Sequence, residues 1–354
     1  MSNGQTVFKK QPPVNIPIVT RAYQRSRAQY FNYLSVHARA YLTAFLWTIL
    51  WTLLAGQALA DNSFRVVSQN MYRLFDDIDN GKKYETVLST KKFHNKTKKA
   101  AQKIITSFEL ADIIALQEVE NINTLNQIIL QIKQTSGVQY KAVLKEGNDI
   151  SGIDVGFLIR SKYQVKSVKQ LFKKTKLATG NSPLFSRPPL LIKVCKQYNC
   201  ISLLNLHLRS MIGIRSKSKG HRVRTKRLEQ ATTIARWIDQ YQSAQIGHSL
   251  MVLGDLNALS PSDQYIDVVG TIIGRPDNTN TKLWSQDLIK HDLIDLTRRV
   301  PDNKRYSYIH KEKKQVLDYM LINQQFKPKL KRIWFSEIDY RFSDHAGLIA
   351  DFSW

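Results

Sequence analysis

Polar side chains stand at the ends of several apolar, strand-like segments of this sequence, where the apolar pattern does not require them. They are Asn70, Glu118, Asp154, Asn205, His207, Asp255, Asn257, Asp318, Asp344 and His345. Carboxylate and amide oxygens are the ligands that Mg²⁺ prefers, and a histidine beside a carboxylate can exchange protons near neutral pH. A single polar residue at the end of a strand is usually just a hydrogen-bonded residue at the edge of the sheet. Seven strand ends of this kind together predict a metal-assisted acid–base site.

The segments that carry these residues alternate with helical patterns. Apolar runs such as FRVVSQNMY, ADIIALQEV, ISLLNLHL and SLMVLGDLNAL predict buried strands. Helical spacing of apolar residues occurs at 95–110 and 121–135 and again between Leu228 and Ile238. Four more strand candidates, YSYIH, QVLDYMLI, RIWF and HAGLIADF, follow in the last third of the chain. With no linker or repeat, residues 61–354 are predicted to form one α/β domain, with more antiparallel strands than a doubly wound fold has.

Six strings occur in a fixed order within residues 64–354: SQNMYRLFDD, ALQEVEN, LLNLHLRS, VLGDLNA, LDYMLI and SDHAGLIADF. Each string is weakly specific alone, but the ordered series resembles the endonuclease/exonuclease/phosphatase superfamily, which includes DNase I-like nucleases and bacterial sphingomyelinases. The resemblance implies a four-layer α/β sandwich, in which two packed mixed β-sheets are flanked by helices and the site lies at one end. The strand-rich α/β pattern agrees with this fold independently.

The resemblance also implies roles in phosphodiester hydrolysis. Glu118 and Asn70 match the metal-binding acid and amide, with Mg²⁺ as the expected ion and Mn²⁺ or Ca²⁺ as alternatives. His345 matches the general base that activates water. Asp318 would accept the other ring proton of His345 and fix its tautomer.

Two more carboxylates match family positions whose roles the sequence does not separate. Asp344 and Asp255 stand where family members place a second metal-site carboxylate and a water-orienting carboxylate. Asn257 is expected to donate to a non-bridging phosphate oxygen.

A second histidine is expected to face the same phosphate. His207 matches the branch in which a histidine stabilises the phosphate or protonates the leaving group, and Asp154 matches the acid paired with it. Arg187 matches an arginine that contacts phosphate, although a surface arginine before a strand explains it equally well. Asn205 is expected to belong to the same phosphate-binding group.

Charge is the outlying feature of the composition. The 354 residues contain 53 Lys and Arg against 28 Asp and Glu, a formal charge of +25 that predicts a polyanionic partner. The richest segment, 211–227, is predicted as a loop that either binds nucleic-acid phosphates or is simply solvated. Its candidate phosphate-binding residues are Lys217, Lys219, Arg222, Arg224, Lys226 and Arg227.

Residues 1–60 are predicted to be a basic segment followed by a signal peptide. No charged residue occurs from Ala40 to Ala60, and Ala58 and Ala60 suit a cleavage site. The residues upstream of this stretch include basic side chains up to Arg39 and no acids. The alternative is that this segment remains uncleaved and anchors the protein in a membrane. No other part of the chain is expected to contact a membrane. Removing residues 1–60 takes away six basic residues and no acids, which leaves +19. We therefore expect a secreted or periplasmic domain, or one anchored outside the cytoplasm.

Two cysteines are too few for a disulfide scaffold or a four-thiolate zinc site. Cys195 and Cys200 flank a predicted turn between two strands, where an exported domain would oxidise them. The alternative is two reduced thiols.

The sequence therefore predicts an exported, monomeric, Mg²⁺-dependent phosphodiesterase that acts as a nuclease on DNA, with RNA as a further substrate. One alternative is a phospholipid or phosphoinositide hydrolase similar to a sphingomyelinase, although no apolar membrane-entry loop is evident. Another alternative is a non-catalytic basic DNA-binding protein. The complete set of acids, amides and histidines argues against that last class.

Overall fold

The computed structural model describes residues 63–260, 263–279 and 282–354. The predicted signal peptide or anchor at 1–60 lies outside these described residues. Within the described part of the chain, no helix is both long and apolar enough to cross a membrane.

The first sheet contains six strands in the order β13-β14-β1-β2-β4-β3. Their bounds are β1 Ser63–Leu74, β2 Ile113–Val119, β3 Tyr140–Leu144, β4 Asp154–Arg160, β13 Leu330–Phe335 and β14 Leu348–Ser353. Only β1 and β2 run parallel, while the other neighbours in this sheet are antiparallel. Parallel pairing brings the carboxyl ends of β1 and β2 to the same edge.

The second sheet also contains six strands, in the order β5-β6-β7-β8-β12-β9. Their bounds are β5 Gln164–Gln170, β6 Leu190–Lys196, β7 Asn199–His207, β8 Ser249–Asp255, β9 Ile294–Asp295 and β12 Asp318–Ile322. Here β7 and β8 are the parallel pair, and β12 runs antiparallel to β8. A separate hairpin is formed by β10 Tyr308–His310 and β11 Lys313–Gln315.

Side-chain alternation along the strands divides the apolar core into layers. Val66 of β1 and Leu203 of β7 pack between the two sheets. The next residue along each strand faces away from the other sheet. Val67 therefore packs against the helices that cover the first sheet, and Leu204 packs against the helices that cover the second sheet. The helices are α1 Thr90–Thr106, α2 Ile122–Ser136, α3 Gly220–Ala244 and α4 Val268–Ile273. With α1 and α2 on the first sheet and α3 and α4 on the second, the predicted four-layer α/β sandwich is confirmed.

The loop predicted over 211–227 is wrong for its second half. Helix α3 begins at Gly220, so the last eight residues of that segment are helical. Val223 and Arg227 lie one helical turn apart and are 7% and 1% exposed, because this face of the helix packs onto the protein. The helical spacing of these buried positions was not recognised in the sequence because Lys and Arg predominate in this segment.

The two cysteines lie opposite each other in the β6–β7 hairpin. Cys195 pairs with Cys200 in the strand register, and their Cα atoms are 4.1 Å apart. The structure joins them by a disulfide, so the thiol alternative is not the one adopted.

Candidate active site

Strand ends from both sheets meet at one end of the sandwich. Asn70 and Glu118 come from the parallel pair β1 and β2, while His207 and Asp255 end the parallel pair β7 and β8. Asp318 opens the antiparallel strand β12 and stands opposite Asp255 in the register. The Asn70 amide links the two sheets directly, because its Nδ2 donates to Asp255 Oδ2 at 3.0 Å and to Glu118 Oε1 at 3.1 Å.

Backbone distortion directs Glu118 into this site. The ladders on both sides of β2 shift register around Glu118, which has a φ of 58°. Its Oε2 accepts a hydrogen bond from Arg73 N at 2.9 Å, and Arg73 also has a left-handed φ of 53°. Such conformations cost of the order of 1–3 kcal/mol each and concentrate at functional sites. The two strands are thus bulged where they present the carboxylate.

Gly254, immediately before Asp255, permits the close approach of β7 and β8. A Cβ at this position would lie 2.0 Å from the Leu206 carbonyl oxygen, and the backbone φ is 130°. Only glycine fits such a conformation without displacing the neighbouring strand. His207 and Asp255 therefore end side by side, with His207 Nε2 3.6 Å from Asp255 Oδ2.

The donor atoms at this end fit a divalent cation. Glu118, His207 and Asp255 each offer a ligand atom within 4.8 Å of the others. The two carboxylates suit Mg²⁺ or Mn²⁺, and the imidazole nitrogen suits Mn²⁺ better. Burial raises the pKa of Asp255, and the charge of Asp318 adds to this effect. Because a cation would stabilise the ionised carboxylates, this electrostatic arrangement favours one in the site.

Two predicted metal ligands are placed differently. The Asn70 side-chain oxygen accepts from Tyr72 N at 2.9 Å, and the nitrogen is the atom that faces the carboxylates. Asn70 therefore orients Glu118 and Asp255 in this structure instead of presenting its oxygen to a metal. Asp344 is half-buried, and among the described residues it belongs neither to the group of Glu118, His207 and Asp255 nor to a second group formed by Asp255, Asp318 and His345. Its metal-binding role stays a prediction.

His345 and Asp318 form a buried pair. His345 Nδ1 lies 2.7 Å from Asp318 Oδ2, and Asp318 is fully buried. The backbone N of His345 donates to Ser343 Oγ at 3.1 Å. The imidazole itself packs near the Tyr308 ring, with the two ring centroids 5.1 Å apart. Burial lowers the pKa of His345, but Asp318 outweighs burial and raises the pKa to about 10. The pair therefore favours an imidazolium next to a carboxylate.

His207 has the opposite electrostatics. The side chain is 4% exposed, and its Nε2 also lies 3.7 Å from Glu118 Oε1. Burial lowers the pKa of His207 well below its usual value, and the charges of Arg187 and His345 act in the same direction. His207 is therefore neutral near pH 7. Its Nδ1 has no hydrogen-bond partner among the described residues.

The predicted hydrogen-bonded pair of Asp154 and His207 is not formed. Asp154 Oδ2 accepts from Gly147 N at 2.8 Å, because Asp154 begins β4 beside the loop that contains Gly147. Its Oδ1, like His207 Nδ1, has no partner within the described part of the chain. Burial raises the pKa of Asp154 to about 8. A neutral Asp154 would remove the negative charge that the predicted pair requires.

Asn205 and Arg227 are not phosphate ligands. Asn205 is fully buried and donates to the carbonyls of Leu116 and Gly156, which ties β7 to the opposite sheet. Arg227 donates to the carbonyls of Arg209 and Asn257 at 2.6 and 2.8 Å. Neither side chain can reach a phosphate at the surface. Both predictions are wrong because the side chains stabilise the site from inside the protein.

Asn257 and Arg187 lie against the active-site strands. Asn257 N donates to Asp255 Oδ1 at 2.7 Å, and its Nδ2 donates to Leu208 O at 3.2 Å. Arg187 forms an ion pair with Asp149 at 2.8 Å and approaches His207 O at 3.5 Å. Both are partly buried at the rim, so their predicted contacts with phosphate remain predictions.

The other basic candidates divide by exposure. Lys217, Lys219 and Arg222 are exposed to solvent. Arg224 donates to Ile214 O and stacks over Tyr265, while Lys226 donates to Pro183 O at 3.0 Å. These two side chains are therefore partly used in packing.

Sequence reasoning did not single out Arg209, Ser343 or Tyr308. Arg209 and Ser343 stand inside the strings LLNLHLRS and SDHAGLIADF, so the signal for both was present. Tyr308 lies in a hairpin whose approach to His345 depends on tertiary structure.

Comparisons with known proteins agree with this architecture. Solved structures similar to the chain include TDP2 from Caenorhabditis elegans, at 15% identity over 82% of this chain and 74% of that chain, with a TM-score of 0.51. Another is TDP2 from D. rerio complexed with a single-strand DNA product, at 14% identity over 82% of this chain and 99% of that chain, with a TM-score of 0.51. A third is the 3′ phosphatase NExo from Neisseria bound to a product DNA hairpin, at 14% identity over 82% of this chain and 100% of that chain, also with a TM-score of 0.51.

At these identities the likeness shows a shared fold. No curated protein sequence matches the chain. The model of the Endonuclease/Exonuclease/phosphatase family matches residues 65–338, which is most of the chain. The ordered strings, the two packed sheets and this match lead to one conclusion: the chain belongs to the endonuclease/exonuclease/phosphatase family.

Proposed function

We propose that this chain is a divalent-metal-dependent phosphodiesterase that hydrolyses nucleic acid, with DNA as its main substrate and RNA as a further one. The observation that carries the proposal is the meeting of two carboxylates, Glu118 and Asp255, with two histidines of opposite charge preference. DNA products occupy two of the structurally similar proteins. The charge of +19 on residues 61–354 suits a polyanionic substrate.

The metal ion would be held by Glu118 and Asp255, with His207 beside them. When bound, a divalent cation neutralises phosphate charge and favours attack on phosphorus. Because burial lowers the pKa of His207 and keeps its ring neutral, His207 would supply a hydrogen bond to the phosphate and not a positive charge. We infer Mg²⁺ because the two side chains that would bind the ion, Glu118 and Asp255, are carboxylates, which Mg²⁺ prefers.

His345 would act at the attacking water. Since Nδ1 is engaged with Asp318, Nε2 is the ring atom that remains for proton exchange. A general base must be neutral, whereas Asp318 favours the charged ring. Positive charge near Asp255 and Glu118 would lower the pKa of His345 and bring it closer to a working base. Asp318 then stabilises the imidazolium that forms when His345 accepts the proton.

Supercoiled plasmid tests the proposal. The purified protein should cleave plasmid in Mg²⁺ and lose this activity in EDTA, and a sphingomyelin substrate should remain intact. His345→Ala should abolish most of the cleavage, while His94→Ala, at an exposed position on α1, should behave like the wild type. Cleavage of sphingomyelin in preference to plasmid would support the lipid-hydrolase alternative.

We also propose that the protein is exported and acts as a monomer. The support for export is the uncharged stretch that precedes Asp61 and the absence of acids before it. N-terminal sequencing of protein from the medium or periplasm should begin at Asp61. An intact N-terminus in the membrane fraction would favour the anchor, and size-exclusion chromatography with light scattering would measure the mass in solution.

A further inference from the structure

Three cations form a group beside His207, at the start of α3. They are Arg209, Arg222 and Lys226, named here the flanking cluster. Arg222 and Lys226 are four residues apart on α3 and therefore lie on the same face of the helix. Arg209 follows His207 by two residues, and its backbone is fixed against α3, because its N donates to Gln230 Oε1 at 2.9 Å.

The cations of the flanking cluster are not neutralised by ion pairs within the described part of the chain. Among the described residues, no Asp or Glu forms an ion pair with any of the three cations. Arg209 donates to Ser210 Oγ at 2.8 Å, and Lys226 donates to a carbonyl. Burial lowers the pKa of Lys226 to about 8, and the charges of Arg209, Arg187 and Arg222 contribute to this, while the charge of Asp149 opposes it. Arg222 and Lys226 lie about one helical turn apart on the same face, so their charges repel, and an anion beside them would relieve the repulsion.

The flanking cluster adjoins the site without being part of it. Arg187 connects the two, since it approaches the carbonyls of His207 and Leu208 at 3.5 and 3.3 Å while its charge acts on Lys226. Unlike the flanking cluster, Arg187 has a carboxylate partner in Asp149. An anion at the flanking cluster would thus sit next to a phosphate bound at His207, not in its place.

We propose that Arg209, Arg222 and Lys226 bind the phosphate adjacent to the scissile phosphate on the same nucleic-acid strand. The inference rests on the proposed function and narrows its substrate class. An isolated phosphodiester, such as that of sphingomyelin, has no second phosphate to occupy the flanking cluster. A polynucleotide always supplies one, so the cluster selects for it through charge-assisted hydrogen bonds.

Matched substrates test this contact. The first substrate is a single-stranded oligonucleotide with one cleavable linkage. The second is the same oligonucleotide with a neutral methylphosphonate at one linkage next to the cleavable one. The 5′ and 3′ neighbouring linkages are replaced in separate oligonucleotides. The third substrate is bis(p-nitrophenyl) phosphate, a diester with no neighbouring phosphate. For the wild type in Mg²⁺, the methylphosphonate on one side should raise KM by about tenfold or more, the effect of losing a hydrogen bond between charged groups.

Arg209→Gln should reproduce that effect from the protein side. Its KM for the unmodified oligonucleotide should rise by about tenfold, and the methylphosphonate should add little further loss, because one contact is removed twice. Hydrolysis of bis(p-nitrophenyl) phosphate should be unchanged. Lys226→Gln should show the same pattern, which covers the case in which Arg209→Gln is unstable. Arg236→Gln, at an exposed position on α3, should match the wild type throughout.

The outcomes separate the two proposals. If the wild type cleaves bis(p-nitrophenyl) phosphate but ignores the methylphosphonate on both sides, the flanking cluster is not a phosphate subsite while the proposed function stands. Equal loss on both substrate types in Arg209→Gln would also overturn the inference, since the residue would then act at the scissile phosphate. Preference for an inositol polyphosphate over the oligonucleotide would overturn it too. Absence of cleavage of every substrate would reject the proposed function and the inference with it.

Discussion

The two sides of the active site differ in how they hold a histidine. On one side, His345 is fixed by Asp318 at 2.7 Å and has a raised pKa. On the other side, His207 has a free Nδ1 within the described structure and a pKa well below its usual value. Both rings are almost completely buried, so burial alone cannot explain the difference. The direct carboxylate partner decides which ring is charged.

This difference predicts a division of work between the two sides. The His345 side can hold and release a proton because Asp318 stabilises its charged form. The His207 side combines a neutral ring with Glu118 and Asp255, which suits cation binding, and it continues outward into the basic residues of α3. Proton transfer and phosphate binding are therefore expected to fail separately when the two sides are altered.

The largest expected effect is on the His345 side. His345→Ala should lower turnover by about 10² to 10⁴-fold, because the group that exchanges a proton with water is lost. Asp318→Asn should also cause a large loss, since it keeps the shape of the side chain but weakens the acceptor. Steady-state plasmid or oligonucleotide cleavage in Mg²⁺ measures both.

The two losses should not add. Residues that act as one unit give non-additive effects, so the double variant should be about as slow as the slower single variant. Multiplied losses in the double variant would show that His345 and Asp318 act independently. Near-normal cleavage by a folded His345→Ala protein would remove the catalytic assignment altogether.

On the His207 side, Glu118→Gln should produce a defect of another kind. Loss of a carboxylate ligand should weaken Mg²⁺ affinity by roughly 10- to 100-fold or more, so raised Mg²⁺ should restore part of the activity. A Mg²⁺ titration of the rate measures this, with Glu337→Gln as an exposed control. The same titration of Asp344→Asn tests its predicted metal role, because a defect that Mg²⁺ cannot restore would argue against it.

Stability should depend on pH through the His345 side. In metal-free protein the pKa of His345 is about 10, above the ordinary value of 6.5, so the folded state binds the proton more tightly than the unfolded state. This contribution is fully present below about pH 6.5 and is lost as pH rises toward 10. The free energy of unfolding in EDTA should fall by a few kcal/mol over that interval.

Denaturant unfolding at several pH values measures this change. His345→Ala should lose less stability over the same interval than the wild type, whereas His207→Ala should keep the wild-type slope. Equal slopes in wild type and His345→Ala would contradict the paired, charged state of His345.

Much of the fold was predictable because its central elements have strong local patterns. The runs that form β1, β2, β7 and β8 each contain a cluster of apolar residues, and the polar residues toward their ends identified the site. The edge strands β3 and β5 were missed. In β5, lysines at 166 and 169 interrupt the apolar alternation, as is common where an edge strand faces solvent.

Side-chain roles were less predictable than side-chain locations. Asn205 lies in its predicted strand and Arg227 lies in a helix where a loop was predicted, but the burial of both side chains depends on what packs over them. Asp154 lies near its expected place, yet a loop amide at Gly147 occupies one carboxylate oxygen. Local sequence cannot specify which of two nearby polar groups completes a hydrogen bond, because the choice depends on distances set by the whole fold.

The smallest expected effect concerns the exposed charges at the outer end of the His207 side. Replacing Lys217, Lys219 and Arg222 with Ser should weaken DNA binding for all sequences and flatten the slope of log affinity against log salt by roughly 2 to 3 units, about one per lost phosphate contact. The matched variant on the His345 side replaces the exposed lysines 311, 313 and 314 around the β10–β11 hairpin. If DNA runs along α3, this second variant should keep the wild-type slope. Equal flattening in both variants would mean that phosphate binding is spread around the whole site and that the two sides differ only in their histidines.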